Sequence, residues 1–90
     1  MNNYNKEFAF KAIKELVESG MKMMNNQLNE DNFQIWFDYS KKVLELSTKD
    51  NPSILLNYLR LIIDIQNKGI MPYQKLDVCL NYLIEMLRIL

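Results

Sequence analysis

The sequence predicts an all-α domain, an antiparallel four-helix bundle, and three observations carry that prediction. Only two Gly and two Pro occur in 90 residues, too few breakers for a sheet with many turns. The hydrophobic fraction is 49%, near the top of the usual range for a globular domain. Apolar residues recur at helical spacing along four stretches, about residues 6–28, 31–48, 52–68 and 73–89. A chain this short makes one domain, which buries only about 60–65% of its unfolded surface.

In the first stretch Ala9, Ala12, Ile13, Leu16, Val17, Gly20, Met21, Met23 and Met24 share one half of the cylinder. Glu7, Lys11, Lys14, Glu15, Glu18 and Lys22 share the other. Glu7 with Lys11 and Glu18 with Lys22 are i,i+4 pairs in the favoured order. A glycine inside a helix costs about 1 kcal/mol relative to Ala. Gly20 lies on the apolar side, which predicts close approach of another helix, with the three methionines filling the core beside it. Residues 25–32 form a polar connection in which Asp31, with Gln34 three residues on, has the pattern of an N-cap and its reciprocal partner.

The second stretch sets Phe33, Trp36, Phe37, Val43 and Leu44 on one face, with Ile35, Tyr39 and Leu46 on its shoulder. Trp36 is expected as a core anchor. Residues 47–52 break the helix, and Asn51 and Pro52 read as N-cap and first residue of the third. On that helix Asn57, Arg60, Asp64, Asn67 and Lys68 fall in a strip about 100° wide, and the rest is apolar. Gly69 is expected just past its end in a left-handed conformation. Ile70, Met71 and Pro72 make so short a connection that the third and fourth helices must be antiparallel neighbours. The fourth confines Gln74, Asp77, Asn81, Glu85 and Arg88 to a strip of about 80°.

The last two helices thus offer apolar arcs of about 220° and 240°, and the second about 200°, where a bundle helix buries ~100–150°. Part of this is absorbed if the third helix has neighbours on two sides. The remainder, notably Ile84, Leu87, Ile89 and Leu90, is expected as an exposed interaction patch. Chemistry is poorly provided for. The chain has no His, its only Cys (Cys79) lies within an apolar arc, and neither glycine belongs to a phosphate-binding loop. No catalytic, cofactor or metal site is expected. Formal net charge is zero, with eleven basic and eleven acidic residues spread over both halves, which disfavours nucleic acid as a partner. A lone cysteine suits a reducing compartment. No apolar run exceeds three residues, so no membrane span is expected. The expected location is cytoplasmic.

Residues 51–87 resemble the C-terminal half of the immunity proteins that accompany pediocin-like (class IIa) bacteriocins. The likeness rests on Pro52 opening a helix, the run Asn57, Tyr58 and Leu59, the corner Asn67 and Lys68, then Ile70, Tyr73 and Gln74. Leu76, Leu80, Leu83 and Leu87 match the Leu-rich face that follows. Residues 38–46 fit more loosely. Unlike many members, the sequence shows no polar tail after the fourth helix. The resemblance implies a left-turning bundle that protects its cell from a pore-forming peptide. It implies binding, from the cytosolic side, to the bacteriocin's membrane receptor, the mannose phosphotransferase permease, with no catalysis. It also implies that specificity lies in the second half of the chain. That points to Lys68, Gly69, Ile70, Met71 and Tyr73 at the corner and to Arg88, Ile89 and Leu90 at the end. The alternative on the residues alone is a homodimer, or a mobile-element protein that binds and inhibits a host protein.

Overall fold

A computed structural model describes residues 2–26, 28–69 and 71–90, with side chains from Lys6 onward. The helices are α1 (Asn2–Asn25), α2 (Glu30–Ser47), α3 (Ser53–Asn67) and α4 (Pro72–Ile89). They run up, down, up and down. The Tyr82 hydroxyl donates to the Ile54 carbonyl at 2.8 Å, setting the later part of α4 beside the start of α3. Lys75 and Glu30 meet at 3.2 Å, so the starts of α2 and α4 share one end. Leu90 lies with residues 6–11, so α4 finishes where α1 begins. The predicted antiparallel four-helix bundle is the fold.

Helix boundaries follow local chemistry more closely than apolar periodicity. The Asn26 side-chain amide donates to the Lys22 carbonyl at 2.9 Å, so α1 stops at Asn25 and Leu28 lies outside it. Asn29, not Asp31, caps α2: its side-chain oxygen accepts the Asn32 N–H at 2.8 Å. Asp31 sits inside the first turn, where its charge suits the helix dipole. Gln34 turns instead to Asp38, at 3.0 Å. Pro52 already has helical dihedrals (φ −63°, ψ −15°), but α3 begins at Ser53 and the Asn51 side chain takes the Ser53 hydroxyl. Gly69 has φ +63°, the expected left-handed C′ residue.

The most extensive pairing is α1 with α4; among the described residues α2 and α4 each touch all three other helices, whereas α3 touches only those two. Gly20 is what lets α1 and α4 close. A Cβ there would stand 2.7 Å from Leu80 Cδ2 and 3.1 Å from the Trp36 ring. Ile13, Leu16, Phe33, Leu44, Tyr58, Leu76, Cys79 and Leu83 are almost wholly buried. An aromatic series crosses the core from α2 to α4. Phe33 stacks on Phe37 at 5.7 Å, Phe37 meets Tyr58 at 5.3 Å, and Tyr58 meets Tyr82 at 5.6 Å. Trp36 is buried as expected, its indole N–H donating to Ser19 Oγ at 3.0 Å.

Three expectations about coverage need correction. Met23 and Met24 pack against the core, but Met21 is exposed. Ile35, Tyr39 and Leu46 are not on the shoulder of a buried face. They stand outside, because α2 buries only the narrower stripe Phe33, Trp36, Phe37, Ser40, Leu44 and Ser47. Conversely Leu87 and Leu90 are half-buried against the core, since α4 packs most extensively on α1 and Leu90 closes over residues 6–11; of the expected terminal patch only Ile84 and Ile89 are exposed.

Candidate interaction surfaces

The α3–α4 corner is built by backbone chemistry. The Lys68 N–H donates to the Ile65 carbonyl at 3.0 Å and the Gly69 N–H to that of Gln66 at 3.2 Å, closing the last turn of α3. Nothing lies within 4 Å of a Cβ added at Gly69, so the glycine serves its positive φ rather than a close approach. Gln74 Oε1 accepts the Met71 N–H at 3.2 Å and steadies the first turn of α4. Lys68 pairs with Asp64 at 3.2 Å, with both side chains well exposed, a contact worth less than about 1 kcal/mol.

Met71 and Tyr73 are largely exposed and, with Pro72, line a hollow whose other wall is Met24, Leu28 and Asn29. Lys75 ties the corner to α2. Its ammonium reaches both Glu30 carboxylate oxygens at 3.2 Å and lies over the Phe33 ring, 5.8 Å from the centroid. Sequence spacing does not disclose this link, which joins residues on separate helices. Ile70, the remaining corner candidate, lies outside the described residues.

The second group of candidates does not join the first. Arg88, Ile89 and Leu90 stand at the opposite end of α4, about 27 Å from Pro72 for an 18-residue helix. Ile89 is exposed, and Arg88 meets Glu85 at 3.5 Å. Leu90 packs over a shallow depression with Phe10, Lys6 and Lys11. The corner and the end are two surfaces.

A third surface is apolar and exposed, and sequence reading missed it. Phe8 on α1 and Ile35, Tyr39 and Leu46 on α2 are 52–69% exposed. Phe8, Tyr39 and Leu46 edge a groove floored by Ala12, Leu16 and Val43. Ile35, Tyr39, Lys42 and Leu46 follow one another at spacings of four, three and four, a single stripe along α2. The signal was present, as an apolar stripe distinct from the Phe33–Phe37–Leu44 face.

Inside the bundle the polar groups are fully engaged. Ser40 donates to the Phe37 carbonyl at 2.6 Å and meets the Tyr58 hydroxyl at 2.7 Å. Its single proton being committed, Tyr58 must donate to Ser40. Cys79 on α4 lies beside this Tyr58 hydroxyl. Burial pushes the Cys79 thiol up to about 12, and burial with the adjacent Cys79 raises the Tyr58 hydroxyl far above its usual range. A protonated, inaccessible thiol has no nucleophilic use. On the surface, hydrogen bonds from Lys41 and Gln34 hold the Asp38 carboxyl below its ordinary value. Among the described residues no three His, Cys, Asp or Glu side chains are placed to hold a metal ion, and no helix is long and apolar enough to cross a membrane. Compared with known proteins, the chain matches no family model, no curated protein and no solved structure.

Proposed function

We propose that this is a cytosolic, non-catalytic binding protein of the bacteriocin-immunity kind, which recognises the complex of a class IIa bacteriocin with its membrane receptor. The observation that supports this reading most directly is the α3–α4 corner. The corner presents Met71 and Tyr73 to solvent beside a hollow walled by α1 and α2 residues. Exposed Met and Tyr on a fixed frame suit protein recognition, because they supply contact area at small entropic cost. The residues assigned to binding are Lys68, Gly69, Ile70, Met71 and Tyr73, with Arg88, Ile89 and Leu90 as a second contact. The receptor assigned is the mannose phosphotransferase permease, on the resemblance of residues 51–87.

Expression in a sensitive strain, followed by challenge with a panel of class IIa peptides, tests the proposal. Protection against at least one peptide is expected, and replacing Met71 or Tyr73 with Glu should abolish it while circular dichroism stays unchanged. Unaltered killing by every peptide would overturn the reading.

A further inference from the structure

We propose that the face formed by α1 and α2 is a homodimer interface, in which the α2 helices of two copies lie antiparallel across a two-fold axis. The inference is independent of the immunity reading, since it leaves the α3–α4 corner uncovered.

The first argument is the amount and placement of apolar surface. The chain exposes 6199 Å², whereas a compact monomer of 10.8 kDa is expected to expose about 5,500 Å². An elongated shape, 41 × 25 × 20 Å, accounts for part of the difference. Part of the exposed apolar surface lies where Phe8, Ile35, Tyr39 and Leu46 stand out of the α1–α2 face. The rectangle that bounds the two longer extents measures roughly 1,000 Å², so a broad side of the molecule has room for the ~800 Å² per partner of a stable interface.

The second argument identifies the occupant as another copy of this chain. Charges along α2 are segregated by sign. Residues 30–39 carry Glu30, Asp31 and Asp38 and no base, while residues 40–50 carry Lys41, Lys42 and Lys49 against Glu45 and Asp50. A parallel arrangement would set carboxylates on carboxylates; an antiparallel one sets the acidic half of each helix on the basic half of the other. With the axis between positions 40 and 41, Ile35 faces Leu46 of the second copy, and Tyr39 faces its Lys42. Asp38 then lies beside that Lys42, and Asp31 beside Lys49 of the second copy. Two-fold symmetry makes each contact twice, and a lysine over a tyrosine ring adds a cation–π attraction. The stripe is thus complementary to itself in both shape period and charge.

Sedimentation equilibrium of the full chain, from low micromolar to several hundred micromolar, gives the test. The mass is expected to rise from 10.8 kDa towards twice that value. Tyr39→Glu, and separately Ile35→Lys, should weaken self-association at least about tenfold with helicity unchanged. Asp38→Lys or Lys42→Glu alone should weaken it, and the two together in one chain should restore it, because the swapped charges again meet across the axis. Ile84→Lys and Ile89→Lys on α4 should have no effect. A monomer at every concentration overturns the proposal, as does a dimer that the α4 variants abolish and the α2 variants do not.

Discussion

Ser40 shows how a single hydroxyl can fix the register of two helices. It is fully buried on α2, donates to its own helix, and accepts from Tyr58 on α3. Removing one member leaves a buried partner without its bond, which costs more than removing both. Ser40→Ala strands the Tyr58 proton and should destabilise by about 1–3 kcal/mol in urea unfolding. Tyr58→Phe should cost about 1–2 kcal/mol, and the double variant clearly less than the two together; strict additivity would show that the bond carries no coupling. The position of Ser40 was legible, since it falls in step with Phe33, Trp36, Phe37 and Leu44. Its chemistry was not, because the partner lies on another helix at no fixed spacing. Cys79 was legible in both respects, as a small buried side chain in a sequence without His.

At the level of the elements, helix existence was legible and helix ends only partly so. Apolar periodicity says where a helix can pack, whereas termination is decided by side chains that compete for backbone groups. Four asparagines between residues 25 and 32 offered several candidate caps, and Asp31 with Gln34 matched the familiar spacing. Asn29 won because its extended backbone (φ −142°, ψ 177°) aims the side chain at the Asn32 N–H. The two alternatives predict different stabilities. Asn29→Ala should lower the stability of the bundle by about 1 kcal/mol, the cost of a lost cap. Asp31→Ala should cost only a few tenths, the charge–dipole contribution of an exposed first-turn carboxylate. Thermal unfolding of the two variants distinguishes them, and a larger loss for Asp31→Ala would restore the other cap. Pro52 and Gly69 were placed within one residue because each acts through its own backbone geometry, independent of the rest of the fold.

For the molecule as a whole, the amount of apolar surface on each helix was legible in the sequence, but not which part of it is covered. Coverage depends on packing geometry: α4 lies most extensively along α1 and hides Leu87 and Leu90, while α2 leaves Ile35, Tyr39 and Leu46 in solvent. Global stability should also record the buried thiol. Cys79 titrates near 9.0 when exposed and is pushed up to about 12 in the fold. Its contribution is therefore constant below pH 9 and is lost as pH rises from 9 towards 12. At pH 10 the loss is about 1 kcal/mol. Urea midpoints measured at pH 7 and pH 10 should fall less in Cys79→Ala than in the parent, once each is referred to its own neutral value; an equal fall would mean that the thiol ionises in place. The seating of α1 on α4 at Gly20 has a last consequence, for the order of events in time. Residues 20 and 80 must find each other across most of the chain, so the tightest seam closes a long loop whose entropy is spent before any reward returns. Folding should therefore be slower than the local helix content suggests. Once shut, that seam denies the first and last helices separate exits, so the protein should come apart as one unit rather than from its ends.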